Sequence, residues 1–352
     1  MIFKKRNILL LVIAMLSMVP VRAAETGEGV YSYLNMPYNA KLAGLGGVNV
    51  SVHSDDVNQI YSNPSLFSPS LRNAISLSYV NYIADANGGM ASYAYTPDSL
   101  NYFGFNFIFM GYGQFDGYDR YGMETNSFSA GDFAWNLVYA RYLGANIKVG
   151  LSLKPVYSHI DTYSSFGMTF DVGANYYHPE WDFSVGYVIK NFGFRFTDYY
   201  DEQERERLPW NMQLGVSKGL VHAPFRFSVT YNHMNKWKLD YTHAKPKTSV
   251  LTVDTEGEKD PNDIRFADML FRHLVFGMEV IIKKNFHIDM AYNHRRNREY
   301  TLSEARGVNG FSFGAGFKVY KFNLDAAYAQ YAPSGGVFTL SLSSSIDSFK
   351  KE

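Results

Sequence analysis

The sequence predicts an all-β protein: a transmembrane antiparallel β-barrel of about 14 strands, with an N-terminal segment that plugs it. Three observations carry this expectation. Aromatics make up 17% of the chain, with 28 Tyr and 27 Phe alongside 29 Gly, which suits strands, tight turns and membrane-interface girdles. Apolar and small polar residues alternate with period two over most of the length. The connections alternate as well, short at one end of the strands and long at the other, as periplasmic turns and extracellular loops do.

The chain opens "MIFKKRNILLLVIAMLSMVPVRAA", with Lys4, Lys5 and Arg6, an apolar run from Ile8 to Val21, and small residues at Ala23 and Ala24. That is the pattern of a secretory signal peptide over residues 1–23, and the run is short for a membrane span. Beyond it no stretch of 18 apolar residues occurs, which excludes a helical membrane protein. The exported chain has no cysteine, so it has no disulfide framework, thiol nucleophile or thiolate metal site. Lys plus Arg and Asp plus Glu are balanced at 33 each, which gives no footprint for nucleic acid.

Residues 24–73 come next. "LAGLGGVNV" superficially suggests a dinucleotide-binding turn, but Asn49 stands at the sixth position, where that fingerprint needs Gly or Ala. The flank "YLNMPYNAK" is polar and "VNVSVHSDD" opens no helix, so no cofactor is expected. The segment is too short to bury a core of its own. An even number of strands leaves both ends of the barrel domain periplasmic, which places the segment below or inside the barrel. Gly44, Gly46, Gly47, Asn63 and Pro64 are then turn residues of a plug. The glycines should touch lumen-facing side chains, with no phosphate-sized anion pocket beside them.

The barrel spans residues 74–347. "FGMTFDVGANY" opposes Phe166, Met168, Phe170, Val172 and Ala174 to Gly167, Thr169, Asp171, Gly173 and Asn175. "PWNMQLGVSKG" (from Trp210), "FRFSVTYN", "FHIDMAYN", "FNLDAAYA" and "FTLSLS" split the same way, so the apolar face should meet lipid and the small polar face the lumen. "AWNLVYARYLG" and "DMLFRHLVFGMEVIIK" read as long strands that cross a bilayer at a tilt. "TPDS", "LGAN", "HPEW", "KGLVH", "IKKN" and "YKF" are the short turns; "ADANGG", "FDGYDRYGMETNS", "TYSS", "FTDYYDEQERER", residues 242–265, "REYTLSEARG" and "APSGG" are the outer loops. Pro155 lies within a strand and belongs at a bulge or away from lipid. Residues 348–352 form a charged tail in "SIDSFKKE", where many barrels end on an aromatic.

"AGLGGVNVSVHSDDVNQIYSNPSLF", with Asn63 and Pro64, resembles the N-terminal hatch of FadL-like outer-membrane barrels. "SYVNYIAD", "SAGDFAWNLVYAR", "LKPVYSHIDTYSSFGM", "HAPFRFSVTYNHMNKW" and "FADMLFRHLVFGMEV" resemble the PorQ family of the type IX secretion system of Bacteroidetes, over nearly the whole mature chain. The resemblance implies a non-enzymatic outer-membrane scaffold that anchors a surface partner, PorZ, in an attachment complex with PorU and PorV, beside outer-membrane lipid and lipopolysaccharide. A generic FadL-like barrel implies instead a transporter of small hydrophobic compounds.

Side chains with possible chemistry are few. Asp254, Glu256, Glu258, Asp260 and Asp263 lack calcium-loop spacing and read as a solvated loop. His287, Asp289, Glu279 and Lys318 point to the lumen side, where they suit a polar lining or a grip on the plug, and no serine elbow or zinc motif accompanies them. His222, His233, His243, His273 and His294 show no ligand spacing. No catalytic residue or metal site is expected. Tyr199, Tyr200, Arg205 and Arg207, with Trp237 and Tyr241 at the rim, are the candidate partner-binding loop residues, because exposed aromatics beside Arg anchor interfaces.

Overall fold

The computed structural model describes residues 30–199, 207–239, 266–282, 285–299, 309–332 and 335–349. Residues 1–29, with the expected signal peptide, the acidic stretch Asp254 to Asp263 and the last three residues lie outside them, as do Tyr200, Arg205, Tyr241 and His243. Fourteen antiparallel strands close into a barrel, each beside its sequence neighbours, with the last paired to the first. They are β1 (Ala74–Asn81), β2 (Asn87–Tyr95), β3 (Asn101–Phe115), β4 (Phe128–Tyr142), β5 (Ile147–Ile160), β6 (Tyr163–His178), β7 (Phe183–Thr197), β8 (Asn211–Gly219), β9 (Phe225–Tyr231), β10 (Leu274–Ile282), β11 (Phe286–Asn293), β12 (Phe311–Val319), β13 (Phe322–Ala332) and β14 (Gly335–Ser345).

Alternation sorts the wall into two faces. Along β14, Thr339, Ser341 and Ser343 are buried while Phe338, Leu340 and Leu342 face out, and Leu77 on β1 is 66% exposed. A continuous apolar exterior of this kind is a liability in water and the matched surface in hydrocarbon, and closure pairs every strand with two neighbours over at least part of its length. The apolar wall is therefore the lipid-facing one.

Three local expectations need correction. Residues 268–283 are not one strand: helix Phe266–Arg272 precedes β10. Asp268 and Arg272, one helical turn apart, close a 3.0 Å ion pair there, and the short apolar stretch Met269, Leu270 and Phe271 between them has no alternation to favour a strand. "TYSS" is not a loop, because β6 begins at Tyr163 and Asp161 takes a positive φ to make a tight turn. Trp210 precedes β8 rather than opening it. Pro155 keeps the register without a bulge; pairing with β4 is present at Ala134–Val156 and Leu137–Leu153 but lapses between them, where proline has no N–H to give.

Residues 30–73 pack against the inward face. They hold a 3-10 turn at Ser32–Asn35, short helices Ala40–Gly44 and Gln59–Ser62, and a second 3-10 turn at Pro69–Leu71. Asn39 caps the first helix by accepting the Leu42 N–H at 2.8 Å. Contacts reach most of the circumference: the Ala40 N–H donates to Ser341 Oγ (2.9 Å), Asn58 donates to Ser76 (2.9 Å) and accepts from Ser92 (2.7 Å), and Ser217 donates to the Ser51 carbonyl (3.1 Å). Two apolar clusters fill the rest, one around Tyr33, Leu34, Tyr38 and Tyr61 and one around Ile60, Phe67 and Leu71.

Candidate functional site

The wall makes room for this segment by lacking side chains where it passes. A methyl group added at Gly104 would lie 2.5 Å from Ile60 Cδ1, one at Gly215 2.9 Å from Val50 Cγ2, and one at Gly314 3.2 Å from Gly44 Cα. At Gly150 and Gly186 it would run into the backbone carbonyls of Pro64 and Val50. Inward glycines on β3, β5, β6, β7, β8, β10 and β12 thus form a belt around residues 44–67.

The three plug-turn glycines meet this wall. Gly44 faces Gly314 and Asp289, Gly46 faces Val275 and Ala291, and Gly47 faces the Arg296 guanidinium. Gly46 and Gly47 have φ of 86° and 79°, which glycine adopts without strain. One part of the expectation fails, because Gly47 borders a polar cavity of about 130 Å³ that Lys190, Arg295 and Arg296 also line. Asn63 orders its own turn, accepting the Ser65 N–H (3.0 Å) and donating to the Val50 carbonyl (3.0 Å); Pro64 lies against Gly150 and Gly173.

One buried ion pair ties the segment to the wall, and two further ionic groups lie within the wall beside it. Lys41 reaches Glu279 at 2.8 Å, and Arg226 joins Glu279 (3.3 Å) to Asp182 (3.2 Å). Burial pulls the Lys41 ammonium down, but Glu279 and Asp289 more than offset it and hold it above its ordinary range. His287 lies 3.3 Å from both Asp289 and Asp325. Lys154 pairs with Asp171 at 2.7 Å and donates to Asn191 at 2.7 Å. Lys154 and Lys190 sit 5.3 and 5.0 Å from the Tyr61 ring centroid. Lys318, expected to line the lumen, follows the inward parity of β12 but is exposed near the short-turn end of the strand. Among the described residues no group of three His, Asp or Glu could hold a metal.

Lys148 stands 3.5 Å from His53, which stacks on Tyr177. Burial, reinforced by the Lys148 charge, pushes the His53 imidazole down to about 4, below its unfolded value of about 6.5. His53 is therefore neutral at pH 7, and the released form binds more protons between about pH 6.5 and 4. Stability contributed here is present above pH 6.5 and falls as the pH drops towards 4. Protease cleavage within residues 50–56 should rise over that window, and His53→Gln should flatten the dependence. A flat wild-type profile counts against the linkage.

The wall is uneven. Strands β3 to β7 have 14 to 16 residues, whereas β8 to β12 have 7 to 9. On its β8 side β7 is paired only from Phe183 to Lys190, although its β6 side is paired up to Thr197. This notch begins at Asn191, whose φ is 57° and whose N–H donates to Asp171 Oδ1 at 2.8 Å. Phe192, Phe194 and Phe196 are exposed along it. From inside, Asn35 bridges it, accepting from Asn191 Nδ2 (2.9 Å) and donating to the Pro209 carbonyl (3.3 Å). An apolar groove of about 770 Å³ involving Phe103, Leu151 and Phe192 lies along the lipid-facing side of the wall.

The candidate loop residues separate. Tyr199 is half-buried, with its hydroxyl donating to Ser158, so it is not a free surface aromatic. Arg207 is exposed. Trp237 is 44% exposed and stacks with Phe266 and His273 at 5.1 and 5.4 Å. His273 is held by the Asn232 and Trp237 carbonyls, and His294 by Asp268 at 2.9 Å. Sequence reasoning missed the Lys154–Asp171 pair and Lys190; the lumen parity that placed Asp171 among the small polar residues was the available signal.

Comparison with solved structures reaches the same architecture. The Pseudomonas putida toluene transporter TodX aligns at 10% identity over 88% of this chain and 96% of its own, with a TM-score of 0.52. The monoaromatic hydrocarbon channel CymD aligns at 12% identity over 88% and 97%, with a TM-score of 0.53. The fold is that of a FadL-like outer-membrane barrel. A Pseudomonas aeruginosa FadL homologue aligns at 10% identity over 87% and 98%, with a TM-score of 0.48. No family model matches the chain, and no curated protein is significantly similar to it.

Proposed function

We propose that this FadL-like barrel admits small hydrophobic compounds through the outer membrane. The observation that carries the reading is the notch beside β7, where Phe192, Phe194 and Phe196 rim an interval without strand pairing among the described residues and Asn35 spans it from inside, from Asn191 to the Pro209 carbonyl. An apolar solute leaving there enters lipid directly and avoids the polar short-turn end of the lumen. The likeness of the fold to a toluene transporter and a monoaromatic hydrocarbon channel supports this solute class. Cells carrying the barrel should take up toluene faster than cells without it. Phe194→Asp with Phe196→Asp should abolish most of the gain while the barrel keeps its heat-modifiable migration. Equal uptake with and without the barrel would sink the reading.

The filled lumen favours a second reading. Residues 30–73 and two apolar clusters occupy the interior, as a structural scaffold permits, and the exposed Trp237–Phe266 stack offers a docking aromatic. On this reading the barrel anchors PorZ in a type IX attachment complex with PorU and PorV. Crosslinking and affinity capture from outer membranes should then recover a surface partner, with no uptake defect in its absence.

A further inference from the structure

The polar cavity beside Gly47 carries a charge imbalance that nothing in the barrel's proposed traffic explains. It opens towards the long-loop end, where Ser32 on its edge is exposed. Its lining includes Lys190 on β7, Arg296 on the short helix His294–Glu299, and the amides of Asn211, Gln213 and Asn293, with no carboxylate among the described residues.

Both key cations are buried. Lys190 is 6% exposed and lies 5.0 Å from the Tyr61 ring centroid; the carboxylate that acts on it, Asp171, is shared with Lys154, which pairs with it at 2.7 Å. Arg296 is 9% exposed, lies 4.1 Å from the Tyr331 ring centroid and reaches Ser312 Oγ at 3.5 Å, without an acidic partner among the described residues. Burying two ammonium groups on one shared carboxylate, and a guanidinium with no acidic partner among the described residues, leaves net positive charge that aromatic faces and a hydroxyl offset only in part. Gly47 is shaped for the same arrangement, since a side chain there would strike the Arg296 guanidinium.

The cavity's size narrows the ligand. About 130 Å³ is close to the roughly 150 Å³ that holds a benzene in an apolar site, so a tetrahedral or planar oxyanion fits and an acyl chain does not. Its amide lining matches hydrogen-bonding oxygens and mismatches hydrocarbon. Guanidinium and ammonium groups together are the usual recognition set for such anions.

We infer that this cavity binds a small oxyanion of the phosphate or carboxylate class, gripped by Lys190 and Arg296 and seated against Gly47. The anion supplies the charge missing from this side of the lumen and ties β7, the N-terminal segment and the helix after β11 together.

Calorimetric titration of the full chain in neutral detergent tests this, with inorganic phosphate, sulfate and acetate compared against chloride at matched ionic strength. At least one of the three oxyanions should bind saturably at one site. Lys190→Met and Arg296→Met should each weaken it by about tenfold or more, the loss expected for a charge-assisted hydrogen bond. Lys318→Met, exposed at the opposite end, should leave it unchanged. If Lys190→Met does not fold, Lys190→Arg should fold and retain saturable binding. The bound anion should raise the unfolding temperature of the wild type but not of Arg296→Met. No saturable binding by any of the three, or an equal loss in Lys318→Met, overturns the site.

Discussion

Truncating Asp171 to Ala should lower the unfolding free energy of the barrel by about 3–5 kcal/mol, the range for removing one partner of a buried ion pair. Asp171 and Lys154 are 1% and 0% exposed, and their 2.7 Å contact lies inside a wall that excludes water. Without the carboxylate, the Lys154 and Lys190 ammonium groups, 5.3 and 5.0 Å from the Tyr61 ring centroid, lose the counter-charge that acts on both. The Asn191 N–H loses its acceptor as well, at the residue whose left-handed backbone starts the notch. The partner change separates the two effects. Lys154→Met combined with Asp171→Ala removes both charges, and it should recover most of the loss. Denaturant unfolding followed by tryptophan fluorescence measures the cycle, and a double variant less stable than Asp171→Ala would show that the pair is not the source.

Gly186→Val should be comparably damaging for a different reason. A Cβ there meets the Val50 backbone carbonyl, and since no χ rotation moves a Cβ and the carbonyl is fixed by the chain, neither can turn away. Overpacking of this kind costs about 1–3 kcal/mol when side chains can yield, and this site sits at or beyond the upper end. The visible result should be release of residues 44–67, read as new protease cleavage there with the barrel's heat-modifiable shift retained. Gly150→Val, which meets the Pro64 carbonyl, should behave alike. Gly144→Ala points into open space and should change stability by less than about 0.5 kcal/mol. Intact protection of the segment in Gly186→Val would refute the belt.

Much of this was readable in the sequence because a barrel wall writes its two faces directly into the chain. Thr339, Ser341 and Ser343 against Phe338, Leu340 and Leu342 need no tertiary information to assign, and the strand count follows from repeating that reading. Local periodicity fails where burial has no faces. The run from Asp268 to Lys283 carries three apolar residues, Met269 to Phe271, before Arg272 and His273, too short a stretch to show a helical period, so the helix Phe266–Arg272 was hidden inside an apparent strand. Tyr199 misled for another reason: a loop aromatic turns inward only if a partner waits there, and Ser158 lies 41 residues away. The glycines of the wall were visible as small residues on the lumen face, but which of them met the N-terminal segment depends on register and on the path of residues 44–67. The oxyanion cavity was least legible, because Lys190, Arg296 and Gly47 come from three separated stretches of chain.

The glycine belt also has a bearing on the order of events in assembly. Residues 40–67 leave the export machinery before any strand does, yet their partners extend to Ser341, 301 residues from Ala40. The seam between β1 and β14 closes next to those last partners. A wall shaped around backbone carbonyls leaves little clearance for late threading, so the early segment should already lie inside as successive hairpins close around it. Its contacts span the longest sequence separations, where loop closure is slowest to be rewarded. The stretch that reaches the periplasm first is thus the one whose packing is completed last.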